Sequence, residues 1–432
     1  MRRVRAMDDR KNADARYGRA LDRLLAAPTL PKLGLARMRA LCGALGDPQL
    51  AVPVLHIAGT KGKGSTAAFA ASMLRAAGLR VGLTTSPHLL SARERLQRDG
   101  ELVDEDTFAA LERLVHEAAQ TIDPQLQSPS FFERTVAMAF CWFAGVVGGA
   151  PVDVAVVEVG LGGRLDATNV VVPRAAAITR LGIDHVEYLG DTLALIAGEK
   201  AGIVKPGVPV VTVVQQPEAA RVLADAAGRA DAPLVIVEES ATTEPLPEPA
   251  LAGAHQRENA LLARALVRAG GFDIPDDAVA RGLGAVRWPA RYETVARAPL
   301  VIVDGAHNVD AARALAATIA ADGRIGRRHF VVGMSQGHDV ATFAAAALAG
   351  ATSVVATRAH QPRALPARHV ARAASRVSVV DVVDDVGAAV DLACARARAD
   401  GGAVIVTGSL FVAGEARARF IGMPRDPSRP AW

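Results

Sequence analysis

The stretch HIAGTKGKGSTAAFAASMLRAAG, residues 56–78, decides the fold. The apolar run VPVLHIA, starting at residue 52, reads as a buried strand. The Ala-rich half that follows reads as a helix beginning near Ser65 and closing at Gly78. Gly59, Gly62 and Gly64 therefore fall in a strand-to-helix turn. Such a turn lets main-chain N–H groups approach an anion at a helix N-terminus, where the dipole also favours negative charge. The spacing Gly-x-x-Gly-Lys-Gly-Ser-Thr is shorter than the usual nucleotide-binding loop and puts Gly64, not Ser or Thr, after Lys63. Lys61 and Lys63 compete for the phosphate. Glycine-rich turns also join strands to helices without a ligand, but three glycines, a lysine and two hydroxyls at this joint favour a phosphate site.

The same alternation continues on both sides of this turn. Short apolar runs start at residues 79, 152, 175, 208 and 233, with Ala-rich helical patterns such as EAARVLADAAGRA between them. Buried strands separated by helices imply a parallel sheet covered on both faces. A second series starts at 300, 329, 352 and 402. Between the two series GLGAVRWPARYETVARAP loses periodicity, and Trp288-Pro289 breaks any helix, which puts a domain boundary near residue 290. EESATTEPLPEPALAG reads as a surface loop of the first domain. The expected architecture is a first domain over 1–290 and a smaller α/β domain over 291–432.

Composition narrows the function. With 432 residues the chain can bury real cores, and 4% aromatics mean that Ala, Val, Leu and Ile must fill them. A formal charge of +4 from scattered Arg and Lys gives no basic block for nucleic acid, but a small polyanion remains open. Three distant cysteines form no metal or redox spacing and suggest a reducing compartment. The N-terminal MRRVRAMDDRKNADARYG has no apolar run after it, so no signal peptide is expected. The longest apolar stretch, AMAFCWFAGVVGG, is too short to span a bilayer. A soluble cytoplasmic protein is expected.

Polar residues follow successive strands, where a doubly wound sheet forms its ligand crevice. Ser86 and His88 lie in LTTSPHLL, and Glu158, Arg164, Asp166 and Asn169 in VVEVGLGGRLDATN. Asp184 and His185 lie in TRLGIDHVEYLG. A carboxylate and a hydroxyl there suit Mg²⁺, which prefers oxygen ligands and shares them with phosphates. Each is weak alone; an Asp-His pair is more often a solvated loop. Their repetition at strand ends carries the argument.

HIAGTKGKGST, TSPHL, FFER, VEVGLGGRLDATN, DHVEYLGDTLALIAGEKAGIVKPG, DGAHN and TGSLF occur together and in order. The chain thereby resembles the folylpolyglutamate synthase/dihydrofolate synthase family of the Mur ligase superfamily, from about residue 30 to about residue 407. The resemblance implies an α/β fold of Mur ligase architecture. It has an N-terminal P-loop-type, parallel-sheet ATPase domain that also binds folate and a smaller C-terminal Rossmann-like domain. It also implies an ATP-dependent ligase that forms an amide between L-glutamate and a pterin carboxylate, from dihydropteroate, reduced folates or both, through an acyl phosphate.

The family's residue roles carry over as follows. Lys63, with Gly59, Thr60, Lys61, Gly62, Gly64 and Ser65, holds the phosphates of ATP. Ser86 and Glu158 bind a first Mg²⁺ and His185 a second, with K⁺ left open. Lys200 is the lysine that the family carbamylates. Asn259 stands on the adenine side, Arg291 is the ATP-binding arginine, Asp304 meets the ribose and His307 the phosphates, with ATP in the cleft between the domains. Folate contacts fall to Leu33, Gly34, Phe131, Phe132, Glu133, Leu165, Asp166 and Ala167, although either phenylalanine could be a core residue. The implied partners are small molecules, with no nucleic acid or membrane, and the implied state is a monomer. Three departures stand out: Lys61 for Asn, Ala290 for Gly, and GMSQGHD, where Gly337 and His338 replace Asp and Lys. That last loop motivates a second reading, a paralogue with another acceptor or amino acid. A third, a nucleotide-binding regulator without catalysis, has no need of the full metal set.

Overall fold

The computed structural model describes residues 2–28, 34–241, 245–422 and 426. The chain divides into two compact units. One comprises Met1–His88, Ala92–Ala250 and Gln256–Val286; the other comprises Leu89–Ser91, Leu251–His255 and Arg287–Trp432. The main changeover, between Val286 and Arg287, lies a few residues ahead of 290. The two short segments that join the second unit have no signal in the sequence.

The first unit holds an eight-stranded sheet with order β4-β3-β2-β5-β1-β6-β7-β8. Its strands are β1 (Val54–Ala58), β2 (Val81–Thr84), β3 (Leu96–Arg98), β4 (Glu101–Leu102), β5 (Val154–Glu158), β6 (Ala175–Ile178), β7 (Val210–Val213) and β8 (Leu234–Val237). β1, β2 and β5 to β8 pair parallel, whereas β3 and β4 add an antiparallel edge that the parallel-sheet expectation lacked. β1 lies between β5 and β6, so the chain leaves it toward one side of the sheet and later returns to the other. Its C-terminal end is therefore the switch point where such sheets bind ligands.

The helix Lys63–Ala76 leaves that switch point with Ser65 through Leu74 all buried. It starts two residues before the expected Ser65, so Lys63 and Gly64 belong to its first turn and not to the loop. Small side chains let its neighbour come close. A methyl group on Gly282 of the helix Asp276–Ala285 would lie 2.5 Å from the Met73 α-carbon, and Ser72 Oγ donates to the Gly282 carbonyl at 2.7 Å. An alanine-built core needs such close packing, since each side chain brings little area of its own.

The second unit holds a six-stranded sheet, β13-β12-β11-β14-β10-β9. Its strands are β9 (Glu293–Arg297), β10 (Leu300–Val303), β11 (Arg328–Val332), β12 (Ser353–Ala356), β13 (Val380–Val382) and β14 (Ala403–Thr407). All pairs are parallel except β9 with β10. Among the described residues no helix is long and apolar enough to cross a membrane. The basic N-terminal stretch lies in a helix, Arg2–Leu25, whose Ala20, Leu21 and Leu24 are fully buried.

Candidate active site

The turn after β1 is built for close approach. Gly59 (φ +141°) and Gly62 (φ +90°) hold conformations that favour glycine. A methyl group on Gly59 would lie 1.9 Å from Thr179 Oγ1, and one on Gly62 2.2 Å from Asn259 Oδ1. The Thr60 and Lys61 amides both donate to the Arg180 carbonyl, at 3.3 and 3.1 Å. The amides left for an anion are those of the first helical turn, from Lys63 on, which have no intrahelical partner. Lys61 turns elsewhere: its Nζ lies 3.8 Å from where a Gly182 Cβ would stand. Asn259, buried at 6% exposure, thus packs against the phosphate turn itself, on the helix Ala254–Ala269.

Glu158 ends β5 and Ser86 follows the neighbouring β2; the Ser86 amide donates to Glu158 Oε2 at 3.0 Å. A buried carboxylate beside a hydroxyl is the oxygen donor set of a hard cation. Thr66 Oγ1, in the first turn of the helix, is also buried without a hydrogen-bond partner among the described residues. These groups fit Mg²⁺. No group of three or more His, Cys, Asp or Glu that could hold a metal ion is assembled among the described residues. A phosphate-bound Mg²⁺ needs only one or two carboxylates. His185 sits at φ +50° with its ring about half exposed, 3.9 Å from Asp184.

Lys200 is 4% exposed, near the end of the helix Leu193–Ala201. Burial first, then the Lys63 charge, pull its amine down to about 7, against opposing pulls from Asp184, Asp166 and Glu199. The phosphate-turn lysine and the buried lysine are therefore electrostatic neighbours. The turn Gly162–Asn169 locks onto the same helix. The Arg164 amide donates to the Glu199 carbonyl at 2.8 Å, and the Arg164 guanidinium pairs with the Glu199 carboxylate at 2.7 Å. Asn169 Nδ2 donates to the Gly202 carbonyl at 3.0 Å, and a methyl group on Gly163 would lie 3.0 Å from the Lys200 carbonyl.

Several residues expected to touch folate have structural work here. Asp166 is buried and caps the 3-10 turn Ala167–Val170, accepting from Thr168 N and Oγ1 at 3.0 and 2.6 Å and from the Leu161 amide at 2.9 Å. Burial raises its carboxyl, and these bonds oppose the rise. Thr168 in turn meets His56 Nε2 at 2.9 Å; His56 is wholly buried in β1, and burial pushes it down to about 3. Glu133 closes a capping box with Ser130 at the start of the helix Phe131–Phe143 and pairs with Arg37 at 2.8 Å. Phe131 is a core residue at 5% exposure, whereas half-buried Phe132 lies against Gly160, whose Cβ would meet its ring at 2.4 Å. Leu165 is half-buried, Ala167 buried, and Gly34 faces open space. Leu33 lies outside the described residues.

Sequence reasoning missed Arg95. It is buried, donates from Nε to His88 Nδ1 at 2.9 Å and holds its guanidinium 5.1 Å from the Phe131 ring centre. Burial lowers it to about 10, while Glu94 and Glu158 pull the other way. No local pattern marks one arginine of ARERLQR as buried.

In the second unit the turns after β10, β11 and β14 lie along one sheet edge. Asp304 accepts from the Tyr292 and Ala306 amides, both at 2.8 Å, which ties PARYE to DGAHN. Arg291 packs beside Gly305, where a methyl group would lie 2.7 Å from its Nη1. Ala290 and Tyr292 both hold positive φ, +56° and +48°. His307 Nδ1 meets the Gly305 carbonyl at 2.9 Å, so in the neutral ring that nitrogen donates and Nε2 is the acceptor. Its ring centre lies 5.3 Å from that of His338, at an interplanar angle of 58°.

Residues 57–243 match the Mur ligase middle domain and residues 290–410 the Mur ligase glutamate ligase domain. The chain is 38% identical to the dihydrofolate synthase/folylpolyglutamate synthase of Mycobacterium tuberculosis, over 91% of this chain and 90% of that one. It is similar to the structure of M. tuberculosis folylpolyglutamate synthase complexed with ADP, with a TM-score of 0.87 and 37% identity over 96% of this chain and 100% of that one. A bifunctional folylpolyglutamate synthase/dihydrofolate synthase with Mn, AMPPNP and L-glutamate bound matches at a TM-score of 0.78 and 30% identity, over 92% and 96% of the two chains. The phosphate turn, the lysine beside it and these likenesses converge: the chain belongs to the folylpolyglutamate synthase/dihydrofolate synthase family of Mur ligases.

Proposed function

We propose that this ATP-dependent ligase couples L-glutamate to a pterin-bearing carboxylate through an acyl phosphate. The acceptor carboxylate attacks the γ-phosphorus of ATP, and ADP leaves. The glutamate amine then adds to the activated carbonyl, and phosphate departs from the tetrahedral intermediate with loss of the amine proton. A free carboxylate is a poor electrophile; phosphorylation supplies its leaving group. The protein's part is positioning and charge neutralisation. Lys63 and the first-turn amides bind the phosphates, while Glu158, Ser86 and His185 are assigned to divalent cations, which screen phosphate charge when bound. Asn259 shapes the turn, and Arg291, Asp304 and His307 are assigned to the nucleotide. Phe132, Leu165 and Gly34 are the residues left best exposed to face a pterin.

The single observation that carries the reading is buried Lys200 beside Lys63. An amine held near 7 is largely neutral at physiological pH. Its lone pair can then attack CO₂, forming an N–C bond and releasing a proton, and the carbamate puts an anion where the buried neutral amine stood. The three free, buried cysteines suit a reducing cytoplasm, where we place the enzyme as a monomer. The test is ADP release with dihydropteroate or a reduced folate, with and without L-glutamate. Release should need both substrates; turnover with an unrelated carboxylate and none with any pterin would overturn the assignment.

A further inference from the structure

We propose that a hollow on the second unit binds a small polyanion, carrying two or more phosphate or carboxylate groups, through Arg368, Arg372 and Arg376. The hollow is open to solvent, has a volume of about 800 Å³, and is lined by these arginines with Ser375, Ser378 and Val379. It lies where the helix Ala367–Ala374 ends and the chain enters β13. Because β10 to β14 run parallel, this connection lies at the N-terminal edge of the sheet. DGAHN and GMSQGHD follow β10 and β11 at the opposite edge. The hollow is therefore distinct from the candidate active site.

Charge singles it out. All three arginines are exposed, and none has an ion-pair or side-chain hydrogen-bond partner among the described residues. Several other arginines of the unit are paired, among them Arg396 with Asp381 at 2.7 Å, Arg417 with Glu293 at 2.8 Å and Arg419 with Asp391 at 3.0 Å. What distinguishes this place is three such unpaired arginines lining one hollow. Arg368 and Arg372, four residues apart in the helix, share one face with Cβ atoms about 5–6 Å apart, and Arg376 follows in the turn just past the helix end. The opposite face, Ala367, Val370 and Ala374, is buried, which turns the arginines outward. A helix C-terminus accounts for cations at 372 and 376, but Arg368 stands in the first turn, where the dipole disfavours one. The two serines add no donors, since Ser375 Oγ donates to the Arg372 carbonyl and Ser378 Oγ to the Ala351 carbonyl. What remains is a row of guanidinium forks, a geometry suited to phosphate or carboxylate.

The test is isothermal titration of the full chain with inorganic tripolyphosphate and, separately, with γ-linked triglutamate. It is run at about 150 mM salt, where the Debye length is about 8 Å and loose charge attraction is screened. Arg368→Gln/Arg372→Gln/Arg376→Gln should weaken binding of at least one probe tenfold or more. The matching triple lysine variant should keep part of it, and both should retain wild-type thermal midpoint and turnover. Tripolyphosphate also tests the phosphate turn, so only the difference between wild type and the glutamine variant counts. Equal affinity in the two for both probes, or no binding of either to wild type, overturns the proposal.

Discussion

Asn259 and Gly62 touch so closely that no side chain fits between them: a methyl group on Gly62 would stand 2.2 Å from Asn259 Oδ1. Gly62 also holds φ +90°, where an L side chain costs about 1–2 kcal/mol. Gly62→Ala should therefore lower the thermal midpoint and raise the KM for ATP. Adding Asn259→Ala should recover only part of the loss, because it removes the clash and leaves the backbone strain. A single variant as stable as wild type, with an unchanged KM, would mean that the turn is looser than its geometry shows.

Lys63→Ala should cost on the order of 10² to 10³ in turnover, the usual loss for one preorganised group, with the fold intact. It should also let the Lys200 amine titrate higher, since Lys63 is one of the charges holding it down. Lys61→Ala, whose side chain runs toward Gly182, should do neither. The two variants are compared by steady-state ADP release and by titration of the labelled lysine.

Lys200 ties stability to pH. Its folded-state value, about 7, lies below the ordinary 10.5 of an unfolded lysine. Between those values the unfolded chain binds a proton that the folded one does not, so stability contributed by this group rises with pH across about 7 to 10.5. Below 7 both states are charged and the full cost of burying the ammonium is present. In CO₂-free buffer, urea unfolding should show this rise and Lys200→Met should reduce it, leaving the smaller part due to Lys205, which burial also lowers. With ¹³C-labelled CO₂ at fixed concentration, the carbamate signal should grow around pH 7; growth only near pH 10 would count against the assignment.

Ala290 sits at φ +56° with its methyl group wholly buried. Replacing it by glycine relieves about 1–2 kcal/mol of strain. The change also loses about 0.8 kcal/mol of burial and about 0.4–1 kcal/mol through a freer unfolded chain. Ala290→Gly should thus be nearly neutral in denaturant melts. Ala290→Val, β-branched in a left-handed conformation, should be strongly destabilising.

His338 meets His307 ring to ring. His338→Lys should alter the KM for glutamate or ATP more than the KM for the pterin, as read from separate substrate titrations. The single change is the cleaner test, because Gly337 holds φ +88° and an aspartate there would add strain of its own. An altered pterin KM with the others unchanged would move the loop's influence to the acceptor.

Ten strands were legible because each is a short, unbroken apolar run, most with both faces covered, although β8 at the sheet edge exposes Val235 and Ile236. The four that were missed, LQR, EL, ETVAR and VDV, are short, polar and at or next to sheet edges, and they look like loops. ETVAR even lies inside the stretch whose lost periodicity marked the boundary. Strand-end polar residues were legible as a set, but their partners were not. Asp166 and Glu133 resemble ligand contacts, and only the folded chain shows their carboxylates engaged by Thr168, Leu161, Ser130 and Arg37. Arg95 needs a view across β2, β5 and the helix Phe131–Phe143, which no local pattern contains.

The turn Gly162–Asn169 and the helix Leu193–Ala201 share main-chain and side-chain bonds through Arg164, Glu199, Asn169 and Gly202. They therefore behave as one mechanical part, although some thirty residues separate them. Anyone replacing this turn, proposed to face the acceptor, with its counterpart from another ligase would also displace Lys200. Such a chimera should fail at phosphoryl transfer before its new pocket is ever tried, unless loop and helix are exchanged together.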